Sequence, residues 1–451
     1  CREKAWFSRV FLIQICLQLT MADILGPAIR YAEDGFPVSP ITASVWQRRE
    51  SKLRAMHGGH TFLRFGKAPC CGDVLRNHRL ANVLKVLAQE GPAAFYEGPV
   101  AQAVVDAVSA VGGVLSLEDL KNHFQSSENP VVPTISTTYH GVRVHTMGPP
   151  SQGAILLEAL NILEGYNLKS YDQTSGEYFH LLIEALRLAI ADGLSCVSSP
   201  DQNSRKSLDR MTCKRHAEER RTLIDKTRAI HKVVAADIQV PPQSHTTFLT
   251  TVDEHGNACS FINSNFHRFG CTIVQEYGFA VHSRASSFVG VEGHPNCVGP
   301  LKKPYHTLMP VMITETHSCD WVANIGSLGG YAQPHAILQV LLGMMELGLN
   351  PQEAVERPRF MIGDGPSVHP DSAIDLEDGL SPEVIQGLEE RGHRLGCTLR
   401  GARRRNMGSA HVITRGSWWR RVRGPASYAE GRDVFLWFGS DPRGDAAAMA
   451  Y

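Results

Sequence analysis

Net charge is the first thing this 451-residue chain lacks: 45 Lys and Arg balance 45 Asp and Glu, so no dominant face marks it for nucleic acid or an anionic membrane. Long apolar runs are missing too. The longest near the start, residues 10–19, is broken by Gln14 and Gln18 and reaches only about half of the roughly 20 residues a membrane-spanning helix needs. There is no Walker A sequence, no glycine-rich dinucleotide fingerprint and no His-Glu-x-x-His pair, so nucleotide binding and zincin chemistry have no sequence support. The 11 Cys show no paired metal-type spacing and read mostly as buried thiols; the 20 His are scattered, and no metal site is expected. No Asn-x-Ser/Thr sequon occurs. Forty Gly and 25 Pro fall without period, which excludes collagen-like and low-complexity classes. What remains, at 43% hydrophobic residues, is a chain able to bury a sizeable core, read as a small-molecule enzyme or a neutral binding protein. It opens on Cys1 rather than Met and is read as N-terminally incomplete, with no compartment legible.

Periodicity divides the chain in two. Apolar residues at helical spacing predict helices over residues 23–32, two more between 78 and 120, and two over 154–163 and 178–191. Residues 134–146 read as two strands around a turn at Tyr139, His140 and Gly141. Residues 199–245 are polar and basic, with Pro241 and Pro242 near the end, and read as an exposed connection and the clearest boundary. Beyond it, short β-branched segments at 246–252, 258–264, 278–282, 311–315 and 321–325 predict a sheet, with a hairpin turn at 253–257 where Gly256 and Asn257 tolerate positive φ. Helices return over 334–347 and 351–357, the latter capped by Asn350 with Glu353 completing a box. The pattern predicts sheets covered by helices on their outer faces.

Few segments could carry chemistry unaided. Residues 149–153, PPSQG, fall short of a nucleophile elbow because Pro150 cannot make the tight turn that Gly makes there. Thr246 and Thr247 sit where the polar connection meets the first strand, and threonines in strands usually reflect β propensity. Gly326-Ser327-Leu328-Gly329-Gly330 follows a strand and precedes a helix, so its backbone N–H groups could form an oxyanion site.

A run of segments in order changes that weighting. GPAIRYAEDGFPV at 26–38, AFYEG at 94–98, GGVLSLEDL at 112–120 and PPSQG at 149–153 resemble the large-subunit half of the γ-glutamyltransferase (glutathione hydrolase) family. Thr246-Thr247, Val252-Asp253, GNA at 256–258, Phe269-Gly270, PYHTL at 304–308, Gly329-Gly330 and SDPR at 440–443 resemble its small-subunit half. The resemblance covers roughly residues 23–451. It implies an α+β fold, the four-layer αββα sandwich of N-terminal-nucleophile hydrolases. It also implies a large-subunit region over residues 1–245, N-terminally incomplete, and a small-subunit region over 246–451, both from one self-cleaving precursor.

On that resemblance the His245–Thr246 bond is the cleavage point and Thr246 the nucleophile. The chemistry suits the placement, because a threonine hydroxyl needs an adjacent base and a freed α-amine, of pKa roughly 7.7 to 8, can serve as one. The N–H groups around Gly329 and Gly330 would hold the oxyanion. Ser264, His306 and Thr307 fall at substrate-supporting positions, and Arg2 matches the residue that grips the substrate carboxylate. The implied reaction cleaves the γ-glutamyl amide of glutathione or a related compound through an acyl-threonine, passing the acyl group to water or an amine. It needs no metal or organic cofactor, and its partners are a small-molecule substrate and the two subunits from one precursor, not nucleic acid; no membrane span is expected in this chain.

Three departures stand against the family pattern. Ser287 occupies the position of an aspartate that pairs with the substrate ammonium, and Phe266 that of an asparagine, which places the chain with the glutathione hydrolase-like and acylase-like branch. The segment before Asp23 differs from the family's. Residues 415–438, including GSWWRRVRG at 416–424, form an insertion read as an exposed loop. The competing readings are an unprocessed, non-enzymatic relative and an amidase for a non-glutamyl acyl group.

Overall fold

The computed structural model describes residues 19–126, 131–233, 245–363, 368–419 and 435–450, with His245 described for its backbone only. The chain divides into two compact units, one of Thr134–Ser264 with Arg284–Tyr451 and the other of residues 2–133 with Asn265–Ser283.

The first unit is built on a six-stranded antiparallel sheet. Its strands are β1 (Ile135–Tyr139), β2 (Val142–Thr146), β5 (Val311–Glu315), β6 (Trp321–Leu328), β7 (Ser409–Arg415) and β8 (Leu436–Ser440), in the spatial order β8-β7-β6-β5-β2-β1. Two further strands, β3 (His245–Val252) and β4 (Ala258–Phe266), form a separate hairpin. One face of the large sheet carries helices: α1 (Gly153–Leu163) lies on β1 and β2, and α3 (Gln333–Met345) on β6 and β7. A longer helix, α2 (Gly176–Cys196), packs on α1. Every residue of α1 is buried and all but three of α2, which explains why neither shows a single apolar stripe. The opposite face of β6 and β7 meets β3, so helix, sheet and second sheet succeed one another as in an αββα sandwich.

The second unit is mainly helical, with helices Met21–Asp34, Pro40–Gln47, Glu50–Ala55, His78–Glu90, Ala93–Tyr96, Pro99–Ser109 and Leu117–Ser126. Trp46, Leu53 and Ala68 form one small core with Phe62 and Phe269, and Val104, Ala107 and Val274 another with Tyr277 and Phe279. The predicted helix at 23–32 is there, lengthened at its start by a capping box between Thr20 and Asp23. The Asn350–Glu353 box also forms as predicted, over Pro351–Glu356.

Four expectations need correction. The strands expected in one sheet fall in separate ones, because Phe266, Phe269 and Gly270 all take positive φ and end β4 before the short Thr272–Val274 and Phe279–Val281 hairpin begins. The polar stretch after residue 199 is not simply an exposed connection. It holds helices Gln202–Met211 and Lys214–Arg221, whose basic side chains meet acceptors on α1 and α2: Arg220 and His216 bond Asp192, and Arg221 bonds the Asn161 and Ile162 carbonyls. Residues 234–244 lie outside the described residues. The Trp-rich insertion is not all exposed loop, since Trp418 and Trp419 are buried and Trp419 packs edge-to-face on Trp437; residues 420–434 lie outside the described residues. The free thiols are not mostly buried either: Cys70, Cys71, Cys213, Cys271 and Cys397 are exposed, Cys213 at a helix start and Cys397 on an outer strand. Among the described residues no helix is long and apolar enough to cross a membrane.

Candidate active site

The hairpin sets the position of Thr246. Its turn closes through Asp253 N–H to the Asn257 carbonyl at 3.0 Å, while the Asp253 carboxylate accepts from the N–H groups of His255 and Asn257. Gly256 takes the positive φ the turn requires. Counting seven residues outward along each strand from that closure brings Thr246 opposite Ser264.

Alternation then fixes which way Thr246 faces. Thr250 accepts a hydrogen bond from Asn324 Nδ2 (3.0 Å), and Phe248 lies against Gly326 so closely that a Cβ there would stand 2.1 Å from its ring. Residues 248 and 250 of β3 thus face residues 326 and 324 of β6. Two residues further along, the same stride carries Thr246 to the end of β6, where Gly329 and Gly330 begin. Thr246 is buried, and among the described residues its hydroxyl has no hydrogen-bond partner. A buried hydroxyl left unbonded has a cost, so it is an informative exception.

The Gly329–Gly330 turn is shaped by backbone crowding. Gly329 has φ +117° and lies so near Gly408 that an added Cβ would sit 3.0 Å from the Gly408 Cα; Gly330 has φ +61°. Each needs to be glycine for conformation. A short 3₁₀ turn, Gly330–Ala332, leads into α3, so the amides of this turn head a 13-residue helix.

The PPSQG segment serves this turn. Ser151 is fully buried and donates to the Leu308 carbonyl (2.6 Å), which removes it as a nucleophile. Gln152 Nε2 donates to the Thr307 carbonyl (3.0 Å) and the Gly330 carbonyl (2.9 Å), and its Oε1 accepts from the Tyr305 hydroxyl (3.2 Å). Gln152 therefore ties the PYHTL segment to the glycine turn. His306 joins the same backbone ladder through its N–H to the Pro150 carbonyl (2.9 Å) and its carbonyl to the Gln152 N–H (3.1 Å). Burial, reinforced by the charges of Arg284 and Lys303, pushes its imidazole down to about 3, so it is neutral at physiological pH and too weak a base for proton abstraction.

Arg284 was not singled out from sequence. It opens a short turn, Arg284–Ser287, and is buried with its guanidinium donating to Thr307 Oγ1 (3.3 Å) and Ser264 Oγ (3.1 Å). Burial lowers it to about 10, against the opposing influence of Tyr331 and Tyr305, and it stays cationic at neutral pH. Tyr305 and Tyr331 stack at 5.7 Å with 17° between planes, and burial raises both phenols. The only sequence signal was an Arg three residues before Ser287, among neutral residues.

Of the residues named from sequence, Ser264 and Thr307 are thus joined through Arg284, and His306 through the Pro150–Gln152 backbone. Arg2 lies outside the described residues. Among the described residues two groups with metal-ligand chemistry occur where α1 and α2 meet neighbouring segments, His180–Glu184–His393 and Glu158–Asp192–His216. Most of these groups are already engaged: His180 and His393 share a 2.7 Å hydrogen bond, Glu184 pairs with Arg187, Asp192 takes His216 and Arg220, and His216 Nε2 lies 3.3 Å from Glu158 Oε1.

Comparison with known proteins fits this geometry. Residues 17–451 match the family model described as gamma-glutamyltranspeptidase. The glutathione hydrolase-like YwrD proenzyme of Bacillus subtilis (strain 168) is 31% identical over 437 residues, covering 96% of this chain and 77% of that protein. The glutathione hydrolase proenzyme of the same strain is 29% identical over 397 residues, covering 84% of this chain and 65% of that protein. Among solved structures, the cephalosporin acylase from Bacillus halodurans is similar with a TM-score of 0.82 at 30% identity, covering 98% of this chain and 77% of the other.

Proposed function

Since this chain belongs to the gamma-glutamyltranspeptidase family and is an N-terminal-nucleophile hydrolase, we propose that it cleaves itself at His245–Thr246 and then breaks γ-glutamyl or related acyl amides through Thr246. The observation that carries this reading is the buried Thr246 hydroxyl, unbonded among the described residues, on a strand aimed at the Gly329–Gly330 turn.

Self-cleavage begins with attack of Thr246 Oγ on the His245 carbonyl carbon. The peptide nitrogen leaves as the Thr246 α-amine, and water hydrolyses the resulting ester. In catalysis that amine takes the hydroxyl proton while Oγ attacks the substrate carbonyl, a role that neutral His306 cannot fill. Amides of Gly329 and Gly330 hold the oxyanion. The leaving amine departs with the proton, and the acyl-threonine passes to water or to an acceptor amine. Ser264 and Thr307 line the acyl side through Arg284. The large and small subunits are then residues 1–245 and 246–451.

Intact mass and N-terminal sequencing test this directly. Wild type is expected to split into fragments of 245 and 206 residues, the smaller beginning Thr-Thr-Phe-Leu, while Thr246→Ala stays whole and inactive. A soluble, folded wild type that remains one 451-residue chain would overturn the reading.

A further inference from the structure

We propose that residues 48–67 of the second unit form a docking surface for an anionic lipid bilayer, in which exposed cations meet the headgroups and the Phe65 ring enters the interface between them. The inference goes beyond the Thr246 chemistry and does not depend on it.

Charge locates the surface. The chain as a whole is neutral, yet residues 48–67 set Arg48, Arg49, Lys52, Arg54, Arg64 and Lys67 against the single acid Glu50, so the overall balance conceals a local excess. Five of these cations are exposed and Arg49 is half-buried. Glu50 is occupied within the fold: its Oε1 accepts from Arg54 Nη2 (2.6 Å) and its Oε2 from the Ala68 N–H (2.8 Å). Asp73, the next acid along the chain, pairs with Arg64 at 3.2 Å. Lys52 and Lys67 form no ion pair among the described residues. Partial burial and, after it, the charge of Arg49 hold the Lys52 amine below the usual lysine range, so these cations are close enough to repel one another.

Packing sets the cations beside one projecting ring. In the helix Glu50–Ala55 only Leu53 is buried, and it meets Ala68 in the core built on Trp46, while Lys52 and Arg54 on either side of it stay outside. Just before Ala68, Arg64 and Lys67 close a two-residue hairpin turn through N–H to carbonyl bonds of 2.8 and 3.0 Å, with Phe65 at φ +50° and Gly66 at φ +76°. Such a turn favours Asn or Asp before Gly, and a bulky side chain at positive φ is disfavoured. Nothing in the second unit offsets that cost, since Phe65 is 94% exposed and its ring meets the Arg64 guanidinium at 5.8 Å. Strain at an exposed position points outward, to a partner.

The chemistry of the tip selects the partner. An aromatic ring between cations suits the boundary of headgroups and acyl chains, where the ring takes the apolar side and the cations the phosphates. A single ring on a projecting turn can stack one base and offers no groove to follow a nucleic-acid backbone.

The test is sedimentation of the full chain with vesicles of phosphatidylcholine alone and of phosphatidylcholine and phosphatidylserine in equal parts. Wild type should bind the mixed vesicles, leave the neutral ones and release the mixed ones in about 1 M salt. Replacing both lysines, Lys52→Gln with Lys67→Gln, should weaken binding roughly 25-fold, about fivefold per charge. Phe65→Asn suits the positive φ, so its urea midpoint should equal or exceed that of wild type while binding falls roughly tenfold. If the lysine variant fails to fold, Phe65→Asn decides alone. Equal binding of neutral and mixed vesicles, wild-type binding by Phe65→Asn, or no binding of either vesicle would overturn the assignment. Capture of a single-stranded oligonucleotide without vesicle binding would give the surface to nucleic acid instead.

Discussion

Two buried polar clusters in the first unit differ in how completely their groups are matched. Around Asp441, almost every polar atom has a partner. Its Oδ1 accepts from the Arg443 N–H and Nη1, its Oδ2 from the Ala410 N–H and Arg359 Nη2, and Glu377 takes Arg443 on both oxygens and Arg404 on Oε1. The Arg359 Nε is the one exception among these groups. At Thr246 and in the first turn of α3, which follows the glycine turn, the described residues instead leave unbonded the Thr246 hydroxyl, both amide atoms of Gln333 and Nε2 of His335. Both clusters include segments shared with the family, yet only the second can do chemistry. A matched buried network holds structure; an unmatched group keeps its bonding capacity for something absent.

The largest effect expected from breaking that contrast is on stability. Asp441→Ala leaves the Arg359 and Arg443 guanidinium groups buried without the carboxylate they share, a loss of about 3–5 kcal/mol. Arg359 Nη1 also donates to the Gly408 carbonyl (3.1 Å), and Gly408 backs Gly329, so the oxyanion turn should loosen as well. Urea unfolding of Asp441→Ala beside Ser264→Ala measures this. Equal midpoints for the two variants would show that the matched network is no more structural than the site.

How much of this was legible in the sequence follows from the range of the forces involved. Helices α1, α2 and α3, the 253–257 turn and the Asn350–Glu353 box rest on local periodicity and local hydrogen bonds, and all were readable. Thr246 and the glycine turn were readable only through resemblance, since Thr-Thr and Gly-Gly are ambiguous alone. The separation of the hairpin from the six-stranded sheet depends on positive φ at Phe266 and Phe269, residues that rarely adopt it. Partners of the basic residues after 199 lie on α1 and α2, far along the chain, so composition read them as exposed. Arg284 was invisible for the same reason: only the fold brings Ser264 and Thr307 to it.

A pH titration sharpens the contrast at His335. Its Nδ1–H donates to the Tyr331 carbonyl (3.2 Å), Nε2 has no partner among the described residues, and burial pushes the imidazole down to about 4. Unfolded, it would take a proton near 6.5. Between those values the unfolded state binds more protons, so stability is intact above about 6.5 and falls as pH drops towards 4, by about 3 kcal/mol for this group. His393, at about 3, adds a loss of the same sign. His335→Asn can keep the donor to Tyr331 and should flatten the slope relative to wild type. Identical pH profiles of the urea midpoint would mean that the imidazole is hydrated in solution and the group is matched after all.

The smallest effect expected concerns the packing that joins the nucleophile strand to the sheet. At Gly326 an added methyl would stand 2.1–2.4 Å from three atoms of the Phe248 ring, so Gly326→Ala must push that ring, and β3 with it, away from β6. Overpacking of this kind costs about 1–3 kcal/mol. Because Phe248 is two residues from Thr246 on the same face, the shift reaches the nucleophile, and self-cleavage should slow by more than the stability loss alone would produce. Timed mass spectrometry of the splitting reaction, set beside the urea midpoint, separates the two. If Gly326→Ala loses stability but splits at the wild-type rate, the hairpin holds Thr246 without help from β6, and the turn at 253–257 becomes the element that places it.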